Sequence, residues 1–416
     1  MADTTDILIV GAGVIGTCAA YELVKAGHSV RLVDQGDVCA GSSYGNAGLI
    51  VPSHCVPLSE PGIVKQGLKW MLDPESPFYI KPRLNRDLAS WLWKFNRSCT
   101  EQHVARSVPV LREMHLGSLK RYEAFSEHLD FSYEQKGSFY ACNTESGFEH
   151  KQADARIAGR AGIRTEVLGP DEIAKLIPET PLSAVGGVFY PEDGHLQPAQ
   201  FVRALAQDAE ASGLRLQSNS QVLGFESSGH RVDGVRTTRG TFSADTLILA
   251  AGSWSPMVAQ GLGLSLPIQP AKGYSITFKR SENCPSLPIM MTESKVGVTP
   301  MADTFRFAGT LELAGLDMTI NQRRVDSILN AMPSYFPEMS ADRMELIEVW
   351  RGLRPCTPDG LPLLGRAEAY DNLVIGAGHA TIGISLGPES GRILKCIVRG
   401  EPTGYDAAAL SPDRFA

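Results

Sequence analysis

The chain has 416 residues, is 43% hydrophobic and 20% charged, and carries a formal net charge of −7. That length favours two domains over one, and the acidic balance gives nucleic-acid binding no electrostatic support. Eight scattered cysteines without a CxxC pair exclude a disulfide framework or an ordinary zinc site and point to a reducing compartment. No apolar run reaches the roughly 18 residues of a membrane span. With neither a basic leader nor a twin arginine, the sequence reads as cytoplasmic.

Asp6 to Asp34 is the first informative segment. An apolar strand, Ile7-Leu8-Ile9-Val10, runs into Gly11-Ala12-Gly13-Val14-Ile15-Gly16, and a helix follows over Thr17 to Ala26. Gly11 suits the tight turn, Gly13 a close approach to a pyrophosphate, and Gly16 the packing of helix on sheet. Val14 and Ile15 lie where the helix amides and dipole meet the phosphates. A second strand, Ser29 to Val33, presents Asp34, followed by Gln35, to an adenosine ribose. An acid there repels a 2′-phosphate, which argues for NAD or FAD over NADP. The small, polar stretch Gly41 to Ile50, with Ser42, Ser43, Asn46, Ala47, Gly48 and Leu49, suits a backbone passing close to something flat or charged.

Proline and glycine interrupt any regular element from Glu60 to about Lys81, and one long helical pattern runs from Asp87 to Leu129. Trp91, Trp93 and Phe95 near its start read as core packing in preference to peripheral membrane contact, because aromatics supply so much buried area. A strand with a turn at Gly137 is expected over Phe131 to Asn143, then two short helices around a strand over Gln152 to Ile177. Gly186 to Tyr190 reads as another strand. A helix over Ala199 to Ser212 precedes short strands at 214–217, 221–227, 232–237 and 241–242, with Val222 a cofactor contact. The buried run Thr246 to Ala250 ends in Ala251-Gly252-Ser253-Trp254, a second close approach to the cofactor. Pro267 to Asp342 reads as strands with one helix over Asn321 to Ala331. Last, Asn372 to Ile375 enters Gly376-Ala377-Gly378-His379, and a helix follows from about Pro388 to Arg399.

Three separated segments thus share one pattern of apolar strand, small residues and helix. If they join one sheet, a long cofactor lies across their carboxyl ends. An NAD dehydrogenase rarely needs the third, whereas a flavin ring does. The N–H groups of Gly378-His379-Ala380-Thr381-Ile382-Gly383 can stabilise negative charge on a reduced flavin, a helix terminus contributing about 0.3–1 kcal/mol. His379 is equally a cofactor contact or a turn residue. In Trp350-Arg351-Gly352-Leu353-Arg354-Pro355 the two arginines face opposite sides of an extended chain. Arg354, beside Pro355 and after an apolar Leu353, is the better candidate for a bidentate grip on a substrate carboxylate. Tyr274, in Lys272-Gly273-Tyr274-Ser275, could share that carboxylate.

Taken in order, these motifs, with Arg306-Phe307-Ala308-Gly309-Thr310, resemble the FAD-dependent glycine/D-amino-acid oxidase superfamily, most closely its small-subunit-type D-amino acid dehydrogenases. The resemblance covers about Asp6 to Gly400. It implies an α/β, Rossmann-like FAD-binding domain of the glutathione-reductase type, discontinuous over 1–50, 191–258 and 345–416. An α+β substrate domain on an antiparallel sheet would take 51–190 and 259–344. It further implies that Arg354 holds the carboxylate, that Tyr274 assists, and that hydride passes from the α-carbon to flavin N5. The substrate would be a D-amino or imino acid, D-proline and D-hydroxyproline included, and the resulting imine would hydrolyse to a 2-oxo acid. Arg306 stands where oxidase-like relatives carry an oxygen-promoting lysine, so a quinone or other carrier is the expected acceptor. Cys356 leaves covalent flavin attachment as a lesser alternative. The competing readings are a glycine/sarcosine-type amine oxidase, an NAD-dependent dehydrogenase, and a flavoprotein subunit of a larger complex.

Overall fold

Two large sheets organise the chain in the computed structural model, which describes residues 3–71, 76–83, 85–160 and 162–416. At the centre of the first sheet, Asp3–Val10 lies parallel between Gly240–Leu249 and Val30–Val33. Arg215–Gln217 extends one side of it; Leu373–Ala377 joins Gly240–Leu249 in parallel on the other. Ile7, Leu8 and Ile9 are all buried, as a parallel strand covered on both faces requires. Helices Val14–Lys25, Pro198–Ala211 and Gly383–Arg399 share one core with it.

The second sheet has nine strands, in the order Leu346–Cys356, Gln269–Lys279, Thr304–Leu313, Val296–Met301, Ile289–Met291, Ser138–Cys142, Gly186–Tyr190 and Glu166–Leu168, with Phe78–Ile80 beside Thr304–Leu313. It is antiparallel except where Ile289–Met291 meets Ser138–Cys142 and Thr304–Leu313 meets Phe78–Ile80. Helix Gln322–Tyr335 covers one face, packing Val325, Ile328 and Met332 on Ile276, Phe278, Phe305 and Phe307.

Several expectations need correction. Leu346–Cys356 pairs with Gln269–Lys279, so residues 346–356, expected with the cofactor-binding segments, hydrogen-bond into the second sheet. The expected 87–129 helix is two, Arg86–Ser98 and Glu101–Ser126, because Thr100 caps the second by accepting from the His103 N–H at 3.2 Å. That second helix puts Leu111, Met114 and Tyr122 into the core of the first sheet, although it falls within 51–190. Helix Ile63–Trp70 and strand Phe78–Ile80 occupy the stretch expected to be irregular, of which 72–75 lie outside the described residues. The strand of the 131–143 segment starts only at Ser138. Gly240–Leu249 forms one strand where two were expected, pairing with Arg231–Thr237 at its start and Leu373–Ala377 at its end.

The helix expected from about Pro388 begins at Gly383, five residues earlier. A proline inside a helix frees the carbonyl four residues earlier. Here that carbonyl, Ile384 O, accepts the buried Tyr122 hydroxyl at 2.6 Å. The aromatic cluster splits: Trp91 is buried, stacks on Phe95 and donates to Cys356 O, whereas Trp93 is 57% exposed.

Buried histidines set an acid limit. Burial holds His115 and His379 down to about 3, so the folded chain keeps them neutral where an unfolded one, near 6.5, takes up protons. Lowered folded values mean stability present above pH 6.5 and lost as pH falls below it. Asp193, pushed up to about 6 by burial against bonds from Ser138 and Ser53, acts the opposite way below pH 6, as do Asp34 and Glu60, also raised by burial, while His54 and His195, lowered to about 4 by burial, add to the histidine effect. The thermal midpoint should therefore drop by a few degrees between about pH 7.5 and about pH 5. A calorimetric midpoint equal or higher at the acid pH would contradict this.

Candidate cofactor and substrate site

The first strand end is crowded backbone to backbone. Gly11 turns out with φ +109°, where a Cβ would stand 2.4 Å from Ala250 O; one on Gly16 would stand 1.9 Å from Gly11 O. Gly13 is the N-cap of helix Val14–Lys25, and Ser43 Oγ accepts from the Val14 N–H at 3.0 Å. Ile15 is buried in the core. Asp34 accepts from the Ala12 N–H at 2.7 Å and the Gly36 N–H at 2.8 Å. Burial raises its pKa against the pull of those two bonds. A carboxylate has about four acceptor sites, so it keeps capacity for a ribose. Ser220 N–H donates to Asp34 O, two residues before half-buried Val222, and Gln35 is exposed.

One backbone oxygen of the second sheet is shared by two of the turns. Ser42 Oγ donates to Leu353 O at 2.5 Å, and Ser253 Oγ donates to the same oxygen at 2.8 Å. The Ser42-to-Gly48 loop and the Ala251, Gly252, Trp254 turn are thereby fixed to the second sheet. Within the loop, Asn46 Oδ1 accepts from the Gly48 N–H at 2.8 Å, Ala47 is half-buried, and Leu49 pairs with His195. The third junction closes on the same strand, since Ala380 N–H donates to Pro355 O at 2.9 Å. His379 lies in that turn with Nε2 on Ser390 Oγ at 2.9 Å and Nδ1 without a partner, so one side of its ring serves the helix behind it. Gly378 carries φ +82°, and Thr381 is exposed. Ile382, the N-cap before Gly383, makes no side-chain capping bond, which leaves the helix's first N–H groups for an acceptor.

Cross-strand partners share a face. Ala271 opposes Arg354, Gly273 opposes Gly352, Ser275 opposes Trp350, and Thr277 opposes both Glu348 and Arg306. All of these side chains therefore project to the face turned towards the cofactor loop. Arg306 confirms the direction: its Nε donates to Thr277 Oγ1 at 3.0 Å and its Nη1 to Asn46 O at 2.7 Å. Arg354 lies across Gly273, where a Cβ would meet the guanidinium at 2.2 Å, and its Nη1 donates to Thr310 O at 2.6 Å. Burial lowers the pKa of both arginines from their ordinary value. The buried hydroxyls of Ser275, on this face, and of Thr310, beside Arg354, have no protein partner, as expected of groups that receive a polar ligand. With the crowded Gly11 turn and the open helix start, the residues fit FAD.

Tyr274, expected beside Arg354, lies on the other face of the sheet. It alternates with Gly273 and Ser275 and so points to the opposite face, where its hydroxyl donates to Glu312 Oε2 at 3.1 Å and accepts from the Asn321 N–H. Arg351 opposes it and donates to Met318 O at 2.8 Å, so the two arginines do face opposite sides. Cys356 is buried, and burial pushes its thiol up to about 12, an inert state. Sequence reasoning missed Ser253, Thr310 and Trp350. The Trp350 ring lies against Gly45, whose Cβ would stand 2.1 Å from it, and only cross-strand register could have revealed that contact.

Retention of FAD should depend on Asp34. Asp34→Ala removes a charged acceptor, a loss of about 1.5–3 kcal/mol, and should weaken FAD binding roughly ten- to a hundred-fold in ultrafiltration. Unchanged retention would place the ribose elsewhere.

A family model described as FAD dependent oxidoreductase matches residues 6–396. The chain is similar to a D-amino acid dehydrogenase of Bradyrhizobium diazoefficiens, at 32% identity over 99% of each chain. One from Paramagnetospirillum magneticum is 34% identical over 98% of each. In fold it is similar to glycine oxidase from Geobacillus kaustophilus, with TM-score 0.79 and 22% identity over 99% of each chain. It is also similar to L-proline dehydrogenase from P. horikoshii, with TM-score 0.76 and 18% identity over 100% of this chain and 98% of that one. Spanning almost the whole sequence and agreeing with a site built for a dinucleotide-flavin cofactor, the family match shows that this chain belongs to the FAD dependent oxidoreductases.

Proposed function

We propose that the chain is a dehydrogenase of D-amino or D-imino acids, with D-proline and D-hydroxyproline among the candidates, that passes electrons to a carrier other than oxygen. The observation that carries this is Arg354: a buried guanidinium on the cofactor-facing side of the second sheet, oriented by Thr310 O over the bare backbone of Gly273. Its remaining N–H donors match a carboxylate fork. Flavin, when bound, supplies the two-electron acceptor for a hydride from the α-carbon. Arg354 sets the position of that carbon, and positioning supplies much of the rate. The substrate loses hydride and an N–H proton to become an imine; water then adds and ammonia leaves, giving a 2-oxo acid, or, for a cyclic imine, the ring C–N bond breaks and the amine stays on the opened 2-oxo acid. The names of the full-length relatives support the D-amino acid class.

Anaerobic bleaching of the flavin by a panel of D-amino, L-amino, imino and N-methyl amino acids tests the proposal. Bleaching by D-amino or D-imino acids supports it. Bleaching by glycine or N-methylglycine alone would favour the amine-oxidase reading, and none at all a non-catalytic flavoprotein subunit.

A quinone acceptor would bring the chain to a bilayer surface, and one region has the right character. Among the described residues no helix is long and apolar enough to cross a membrane. Helix Ile63–Trp70, however, has no buried residue, and Leu68 and Met71 lie exposed beside Lys65 and Lys69. Residues 63–97 hold Lys65, Lys69, Lys81, Arg83, Arg86, Lys94 and Arg97 against Asp73, Glu75 and Asp87, in a chain of net charge −7. Apolar side chains among cations favour an anionic lipid surface. Sedimentation with anionic vesicles but not zwitterionic ones would support this contact; sedimentation with neither would remove it.

A further inference from the structure

We propose that Tyr274, Glu312 and Lys272 are positioning residues for Arg354, acting through the sheet from the face away from the cofactor. The inference rests on Arg354 as the carboxylate ligand. Between Gln269–Lys279 and Thr304–Leu313 the register slips once: Tyr274 opposes Gly309, while Lys272 opposes Glu312. Thr310 and Leu311 are thus spanned by Gly273 alone, a bulge of the kind that re-aims a neighbouring group. Thr310 takes φ +62°, a left-handed conformation that a β-branched residue adopts only when its surroundings enforce it. Its carbonyl is the one that accepts from Arg354 Nη1, and Gly273 is the residue over which the guanidinium lies.

The enforcement comes from behind. Tyr274 and Lys272 flank Gly273 on either side, and both reach Glu312, the residue that closes the bulge. The Tyr274 hydroxyl donates to Glu312 Oε2 at 3.1 Å, and Lys272 Nζ lies 3.8 Å from Glu312 Oε1. Lys272 Nζ also donates to Thr319 O at 3.0 Å, while Tyr274 takes the Asn321 N–H, so the chain beyond the bulge is pinned as well. All three side chains are buried. Loosening the cluster frees Thr310 to relax towards an ordinary conformation and withdraws the acceptor that aims the guanidinium.

The test uses the FAD-loaded enzyme with D-proline or D-alanine, whichever bleaches the flavin faster, and the variants Tyr274→Phe and Glu312→Gln, which keep side-chain shape. Both should retain FAD and raise KM about tenfold, with kcat changed less than threefold. In an Arg354→Ala background Tyr274→Phe should add nothing, because the cluster acts only through that guanidinium. A KM unchanged in both single variants, or effects that multiply in the double variant, would overturn the proposal. Should Arg354→Ala itself leave KM unchanged, the carboxylate assignment falls and this inference with it; a large Arg354 effect beside silent Tyr274 and Glu312 variants removes the positioning role alone.

Discussion

Arg354→Ala should raise the KM for the amino acid by two orders of magnitude or more while FAD stays bound. Losing one partner of a buried charge pair costs about 3–5 kcal/mol, and the cost falls on substrate binding because the carboxylate is the group left unpaired. Arg354→Lys should recover only part of this, since a point charge on a flexible stem cannot reproduce the planar fork. Gly273→Ala should act in the same direction without touching the charge: its Cβ would meet the guanidinium at 2.2 to 2.3 Å, so the side chain must move. Arg351→Ala is the control. That side chain lies on the other face, tied to Met318 O, and its loss should leave KM within a few-fold. Steady-state kinetics with matched FAD content decides the matter, and greater damage from Arg351→Ala would mean that the wrong arginine had been assigned.

The difference between Arg354 and Tyr274 shows how far the sequence could be read. Period-two alternation separates Arg351 from Arg354 across a strand, and the structure keeps them on opposite faces. The same rule places Tyr274 relative to Gly273, but not relative to Arg354, because that needs the pairing register of two strands about eighty residues apart in the chain. Glycine-rich turns after apolar runs were legible because the backbone geometry they serve is local: the Gly11 turn and the Ala250–Gly252 turn both fell where the pattern put them. Pro388 misled because its ordinary place is a helix start, whereas here a tyrosine 266 positions earlier satisfies the carbonyl it frees. The pairing of residues 346–356 with the second sheet was hidden for a similar reason. Leu353 O takes bonds from Ser42 and Ser253 of the first domain while its strand hydrogen-bonds into the second sheet, so the segment serves both.

The reduced enzyme should react slowly with oxygen and quickly with a phenazine or a quinone analogue. Arg306 provides the physical reason. It occupies a strand facing the cofactor loop, with Nε committed to Thr277 Oγ1 and Nη1 to the Asn46 and Tyr44 carbonyls at 2.7 and 3.3 Å. It is therefore not a remote strand residue, and its charge bears on that loop. Yet the charge is spread over a planar guanidinium already bonded to three acceptors, whereas oxygen activation benefits from a compact, preorganised cation with little competing hydrogen bonding. Burial lowers the pKa of Arg306 from its ordinary value, with Glu348 opposing the shift, and the guanidinium remains charged. Arg306→Lys should move the balance: an ammonium in the same enclosure is a smaller ion with freer donors, and reoxidation in air should accelerate at least several-fold if the loop still folds. The measurement is to reduce the enzyme anaerobically with substrate, mix it with air-saturated buffer and time the return of flavin absorbance, beside the same experiment with the quinone analogue. Reoxidation by air as fast as turnover, with stoichiometric peroxide, would identify an oxidase and defeat the carrier assignment. Slow reoxidation that Arg306→Lys leaves unchanged would keep the dehydrogenase but move the cause of its slowness away from this arginine.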